Sequence, residues 1–336
     1  MRSGIVAGLA ILTVAASGSA VYAWQQLKTN EAFLNATLKT ATEIVDTSVD
    51  QAERYGVPRA ATLALLTRAE GLFDNMALLG KPTAELRHQK AWMLTQFARN
   101  YKALGSTMKW RERSEQAFKV LADLATEAPD NALYARDLAM ASMEIGDVHV
   151  SQGDLPGGLK AYRAVLVVIA GLAKSNPDDA GLQVDVALAR ERIADVLVTQ
   201  GNLAEALQVY RESLGIRENV AKADPGDVAG QQHLSISYEK LGDVMVAQGD
   251  PGQALKAYRD ALAIADRLAK AEPNNMGWQR DLSVAHNKIG NVLVTRGDLA
   301  GALQAYQDSW PFATVSPRPI PTMRSGSAIS PSRRRT

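Results

Sequence analysis

The side chains that could do chemistry are few and scattered. The 336-residue sequence has no cysteine and four histidines, His88, His149, His233 and His286, no two within 48 positions of each other. Without cysteine there are no disulfides, thiolate metal sites, iron–sulfur clusters or thiol nucleophile. Histidines so dispersed give no metal-ligand spacing, and no phosphate-binding loop, GxGxxG turn, HExxH helix or GxSxG elbow occurs. No catalytic group, cofactor or metal is therefore expected. The histidines read as packed or half-exposed structural residues, with His149 on the inward stripe of its helix. A column of acids does recur. Asp147, Asp195 and Asp243, continued by Asn291, stand 48 residues apart, each just after a small residue. Glu191 and Glu239 lie one helical turn earlier, and Met140, Leu188, Ile236 and Val284 repeat at the same interval. Carboxylates beside apolar side chains form binding chemistry if one surface gathers them. The plainer reading is that these acids solvate an exposed face or bond neighbouring loops.

The elements that would position these columns are set by the same interval. Gly105, Gly153, Gly201, Gly249 and Gly297 recur every 48 residues, as do Pro129, Pro177, Pro225 and Pro273, and Tyr162, Tyr210, Tyr258 and Tyr306. Ala98, Gly146, Ala194, Gly242 and Gly290 form a fourth, small-residue column. Each unit reads as a helical hairpin. Leu234, Tyr238, Leu241 and Met245 are spaced by four and three, the apolar stripe of an amphipathic helix. Gln248-Gly249-Asp250 then breaks it, with glycine as the left-handed cap and aspartate as the N-cap of the next helix. Asp154, Asn202 and Asp298 hold the equivalent cap position. The second helix carries Ala254, Tyr258, Ala261, Leu262, Ala265 and Leu268 and stops before Pro273.

These offsets resemble the tetratricopeptide repeat: Tyr238, Leu241-Gly242, Met245, Gly249, Ala254, Tyr258 and Ala261 keep the family's spacing in order. The departure is length. The family's unit has about 34 residues, so the longer unit adds about four helical turns and makes both helices about 20 residues long. The resemblance covers 85–309, in units 85–132, 133–180, 181–228, 229–276 and a truncated 277–309. It implies an all-α, right-handed superhelical solenoid of antiparallel helix hairpins. In the first unit Trp110 replaces a small residue and Ser114 replaces the tyrosine, as suits a terminal cap. The tyrosine column has the spacing of the hairpin seam and belongs to the core. The resemblance also implies that Asp147, Asp195, Asp243 and Asn291, with Glu191 and Glu239, line a concave groove as an acidic ladder. Met140, Leu188, Ile236 and Val284 would add apolar contacts for an extended or helical peptide with basic and apolar side chains. The groove lacks the Lys/Arg set with which some family members clamp a C-terminal carboxylate.

Upstream, Gly4–Trp24 offers 21 mostly apolar, uncharged residues, enough to cross a hydrocarbon core of about 30 Å, with Tyr22 and Trp24 at its far edge. A cleaved signal segment with its apolar run at Ile5–Ala16 is the competing reading. Arg2 and the terminal amine, set against Lys28, give a slight charge bias that favours the array outside the cytosol, which is the periplasm if the source is a bacterium. Leu34, Leu38, Ala41, Val45, Val49 and Ala52 make 29–55 a stalk helix that packs on the first repeat or self-associates. Gly56-Val57-Pro58 separates it from a capping helix within 57–84.

The chain has 37 basic and 36 acidic residues, but five arginines (Arg318, Arg324, Arg333, Arg334, Arg335) lie in the last 27, which have no acid. That tail, 310–336, has no helix period and reads as disordered. Restoring one C before the codon of Trp310 and choosing permitted codons gives LAIRDRLAKADPNNAVWQRDLAV, against LAIADRLAKAEPNNMGWQRDLSV at Leu262–Val284. The restored proline falls 48 positions after Pro273. The tail is therefore read as frameshifted, its arginines as unselected, and a nucleic-acid partner as excluded. The expected function is a non-catalytic protein–protein interaction scaffold tethered to a membrane. The alternatives are the regulatory or sensor fragment of a larger bacterial signalling protein whose effector precedes the span, and a soluble exported binding protein.

Overall fold

A computed structural model describes residues 60–64, 67 and 83–309. The segments Gly4–Trp24, 29–55 and 310–336, and most of 57–84, lie outside these residues. All ten helices set out among them belong to hairpins: α1 (Ala84–Ala103) and α2 (Thr107–Glu127), α3 (Ala132–Ser151) and α4 (Leu155–Ser175), α5 (Ala180–Thr199) and α6 (Leu203–Ala223), α7 (Val228–Ala247) and α8 (Pro251–Ala271), α9 (Met276–Thr295) and α10 (Leu299–Asp308). First helices start every 48 residues, and so do second helices. The lengths are 20 and 21 residues until α10, which has ten.

Two compact units divide between Val209 and Tyr210. In the first, α1 pairs with α2 and α3 with α4, while α2 also packs on α3 and α4 on α5. Its first hairpin is filled by Phe97, Tyr101, Leu94 and Trp110, with Val148 from α3 and Leu63 packed against them. The large Trp110 takes part in this core where the other second helices have a small residue. In the second unit α7 pairs with α8, α8 packs on α9, and α9 pairs with α10.

Local chemistry fixes the turns. Gly105, Gly153, Gly201, Gly249 and Gly297 all have φ between 72° and 83°, a conformation that a Cβ opposes. At Gly249 the Asp250 amide bonds the Met245 carbonyl at 2.9 Å and the Gly249 amide bonds that of Val246 at 2.9 Å, satisfying the carbonyls left open at the end of α7. Asp154, Asp250 and Asp298 then accept from the backbone amides of Gly157, Gln253 and Gly301 at 2.9–3.0 Å. At the other end, each proline of the column stands two residues past a second helix. Gln279 reaches back across this return turn, donating to the carbonyls of Ala269 and Pro273 at 3.1 and 3.0 Å, and Gln231 donates to Ala221 at 3.1 Å.

The small column sets how closely hairpin helices approach. A Cβ on Gly146, Gly242 or Gly290 would sit 2.5 Å from Cε1 of Tyr162, Tyr258 or Tyr306. Glycine thus lets each ring lie against the backbone of the facing helix, and Tyr162 and Tyr258 are buried there.

Candidate partner-binding face

The residue after the small column is within reach of the same tyrosine. Tyr162 donates from Oη to Asp147 Oδ1 at 2.5 Å, Tyr258 to Asp243 Oδ1 at 2.7 Å, and Tyr306 to Asn291 Oδ1 at 2.7 Å. An amide oxygen serves as well as a carboxylate, so the column supplies an acceptor before it supplies charge. Burial first, and the facing carboxylate second, raise the pKa of Tyr162 and Tyr258 and keep them protonated donors.

Cations complete these sites. Lys288 Nζ lies 2.6 Å from both carboxylate oxygens of Asp243 and 5.5 Å from the Tyr258 ring centroid. Asp147, only 9% exposed, holds Lys102, while Arg192 Nε approaches its Oδ1 to 3.2 Å. That nitrogen is buried and has no hydrogen bond, so the contact is an ion pair out of bonding line. Arg192 Nη1 also lies 3.7 Å from Asp195. Lys102 lies over the Trp110 ring at 4.7 Å, and Trp110 Nε1 donates to Glu144 at 3.1 Å.

Asp147, Asp195 and Asp243 of the acidic ladder thus each have a cation within 4 Å. The signal was in the sequence: Arg192, Lys240 and Lys288 repeat every 48 residues, three positions before Asp195, Asp243 and Asn291. That offset places them on the acids' helix face. Glu191 is buried in α5. Glu239 on α7 is half-buried, and burial pushes its pKa up to about 7; Asp243 and Asp281 add to this, and Lys288 opposes it. Of the apolar column, Ile236 is 38% and Val284 36% exposed, whereas Met140 and Leu188 are half-buried. Hence α7 and α9 bring Glu239, Asp243, Ile236, Val284 and Lys288 to one side of the second unit.

The histidines take structural places. His88 Nε2 lies 2.5 Å from Asp137 Oδ2, a bond that raises its pKa despite burial. The same rung is built by Arg136 with Asp185 at 2.6 Å and Gln232 with Asp281 at 2.8 Å. His149 is half-exposed, not set into the packed stripe, because its Nδ1 turns to Asp154, the N-cap of α4, at 2.8 Å. His233 is exposed and His286 half-buried. Among the described residues, no three His, Asp or Glu side chains gather as a metal-binding cluster.

A tetratricopeptide-repeat family model matches residues 186–227, the α5–α6 hairpin. This hairpin is of tetratricopeptide type, and the others repeat its 48-residue register. The repeat fold is shared with BtubC from P. vanneervenii, at 18% identity over 88% of this chain and 99% of that one, with a TM-score of 0.52. A Rap protein complexed with Competence and Sporulation Factor matches at 12% identity over 86% of this chain and 67% of the other, TM-score 0.54. A signal transduction ATPase with numerous domains and a tetratricopeptide repeat sensor, from Pyrococcus horikoshii, matches at 9% over 83% of this chain and 37% of its own, TM-score 0.53. At such identities the likeness is one of fold. Among curated proteins none matches the chain.

Proposed function

We propose that this tetratricopeptide array is a non-catalytic scaffold whose first-helix face captures a peptide or protein partner with basic and apolar side chains. The observation that carries the reading is the exposure of Ile236 and Val284 at equivalent positions beside the Asp243–Lys288 pair and Glu239. A partner lysine or arginine would replace Lys288 at Asp243 or meet the ionised Glu239, while its apolar groups cover Ile236 and Val284. Asn291 would extend this face within the second unit, and Asp147 and Asp195 would form the equivalent face of the first. The apolar Gly4–Trp24 would hold the array at a membrane, with the repeats on the extracytoplasmic side.

Peptides selected from a random display library against the full chain should be enriched in Lys, Arg and apolar residues. They should lose binding to an Ile236→Glu, Val284→Glu double variant of unchanged helicity. Equal binding to that variant would place recognition elsewhere. A second reading, that the array is the sensor part of a larger signalling protein, draws support from the length over which it matches the sensor-bearing ATPase. Coding sequence in frame upstream of Met1 would test it.

A further inference from the structure

We propose that the outward face of α4 is a second docking surface, and that it rests on an anionic lipid bilayer. Among the described residues α4 is the one helix with the length and composition to cross a membrane, yet it is not a span. Tyr162, Val165, Ile169 and Ala173 bury one side of it in the first unit. The opposite side leaves Ala164, Val167, Val168 and Gly171 in solvent, with Val167 75% and Val168 42% exposed. Their spacing of three, four and seven keeps them on one helix face. Where α4 has Ala164 and Gly171, α6 has Glu212 and Asn219, and α8 has Asp260 and Arg267. Thus α4 lacks the polar groups that α6 and α8 carry at these positions. It has no acidic residue in its 21, and exposed Lys160 and Lys174 lie on this face at either end of the apolar patch. Arg163 is taken up by Glu205 at 3.3 Å.

Charge chooses the occupant. Two copies of α4 packed antiparallel would bring Lys160 beside Lys174 of the other copy, with no acid on either helix to relieve them. An anionic bilayer meets both demands: its phosphates receive the ammonium groups, while the valines enter the headgroup boundary. The inference rests on reading Gly4–Trp24 as an anchor, which would leave 35 residues between Trp24 and position 60 to join the array to that surface. Tethering makes so small a contact effective, because the surface is always near.

The cysteine-free chain permits a direct test. Val167→Cys, and Gly215→Cys at the equivalent position of α6, are labelled with an environment-sensitive fluorophore in the full chain. Each is mixed with phosphatidylcholine vesicles, with or without about 30% phosphatidylserine. Both proteins should float with both vesicles through the anchor. The probe at 167 alone should shift to shorter wavelength, with the anionic vesicles alone, and be quenched by lipid-borne quenchers. Adding Ala164→Glu and Gly171→Asn, the residues α6 carries, should abolish the shift and leave flotation intact. Flotation without a shift at 167 overturns the proposal while the anchor reading stands. A shift without vesicles overturns it in favour of a second copy if it grows with protein concentration, or of a segment of this chain if it does not. Neither flotation nor a shift overturns both readings.

Discussion

At the scale of single residues, the array joins its helices through polar groups that also control its response to pH. Tyr258→Phe removes the donor to Asp243 but leaves Lys288 in place, so a loss of about 1 kcal/mol in chemical unfolding is expected. Gly242→Val should lose more, about 2–3 kcal/mol, because even a Cβ there would lie 2.5 Å from the Tyr258 ring. Glu239 binds a proton more readily folded than unfolded, since burial lifts its pKa from 4.5 to about 7. Stability from this group therefore falls as pH rises between those values and stays lower above them. Glu239→Gln should raise the unfolding free energy at about pH 8 by on the order of 1 kcal/mol, less than the shift alone implies because the side chain is partly solvated, and change it little at about pH 4. His88 behaves differently. Its bond to Asp137 raises the folded pKa above 6.5, so its stabilisation is complete below pH 6.5 and is lost as pH climbs through the raised value. His88→Gln should thus lower the thermal midpoint more at about pH 6 than at about pH 9. Equal shifts at both pH values would show that the bond to Asp137 does not depend on the imidazolium charge.

At the scale of elements, the informative helix is the incomplete one. α10 begins like its predecessors, with Asp298 capping Gly301, and Ser283 donates to the Ser309 carbonyl as Ser235 does to Ala261. It then stops at ten residues, and Leu303 is 59% exposed where the equivalent Leu255 on α8 is 4%. Amides from Gly297 to Ser309 should therefore exchange with deuterium faster than those from Leu241 to Tyr258; equal protection would contradict this. If the tail is out of frame, restoring one base should lengthen α10 and slow that exchange. The hairpins, their turns and the tyrosine seam were legible in the sequence because columns 48 residues apart reinforce one another in a single register. The face was legible only in part. Position after a glycine marks Asp147 and Asp243 as equivalent places in their hairpins, but whether a carboxylate is free or taken depends on reach between helices. Lys102 meets Asp147 and Lys288 meets Asp243 from helices one repeat away. The rungs of His88 with Asp137 and Arg136 with Asp185 likewise join residues 49 apart, which no pattern within one helix discloses.

At the scale of the whole molecule, stability is expected to come from a sum of repeats and nearest-neighbour contacts, not from one closed core. In each unit, the most extensive helix packing is between neighbours in the chain, such as α7 with α8 and α8 with α9. Ion pairs such as Lys288 with Asp243 and Arg136 with Asp185 likewise join one repeat to the next. Because α7 and α9 begin 48 residues apart, excising residues 229–276 would join Val228, the first residue of α7, to Gly277, the second of α9. No helix would change phase, and the α9–α10 hairpin would take the place of α7–α8. The shortened chain should fold, with helicity per residue unchanged. Its urea m-value should fall by roughly a fifth, in proportion to the surface one repeat buries. Excising 24 residues of the same stretch instead would remove half a hairpin, join a first helix to another first helix and set apolar stripes against solvent, so that chain should aggregate. If both deletions were equally damaging, the contacts that hold the array would have to reach beyond adjacent repeats, and the additive account would fail.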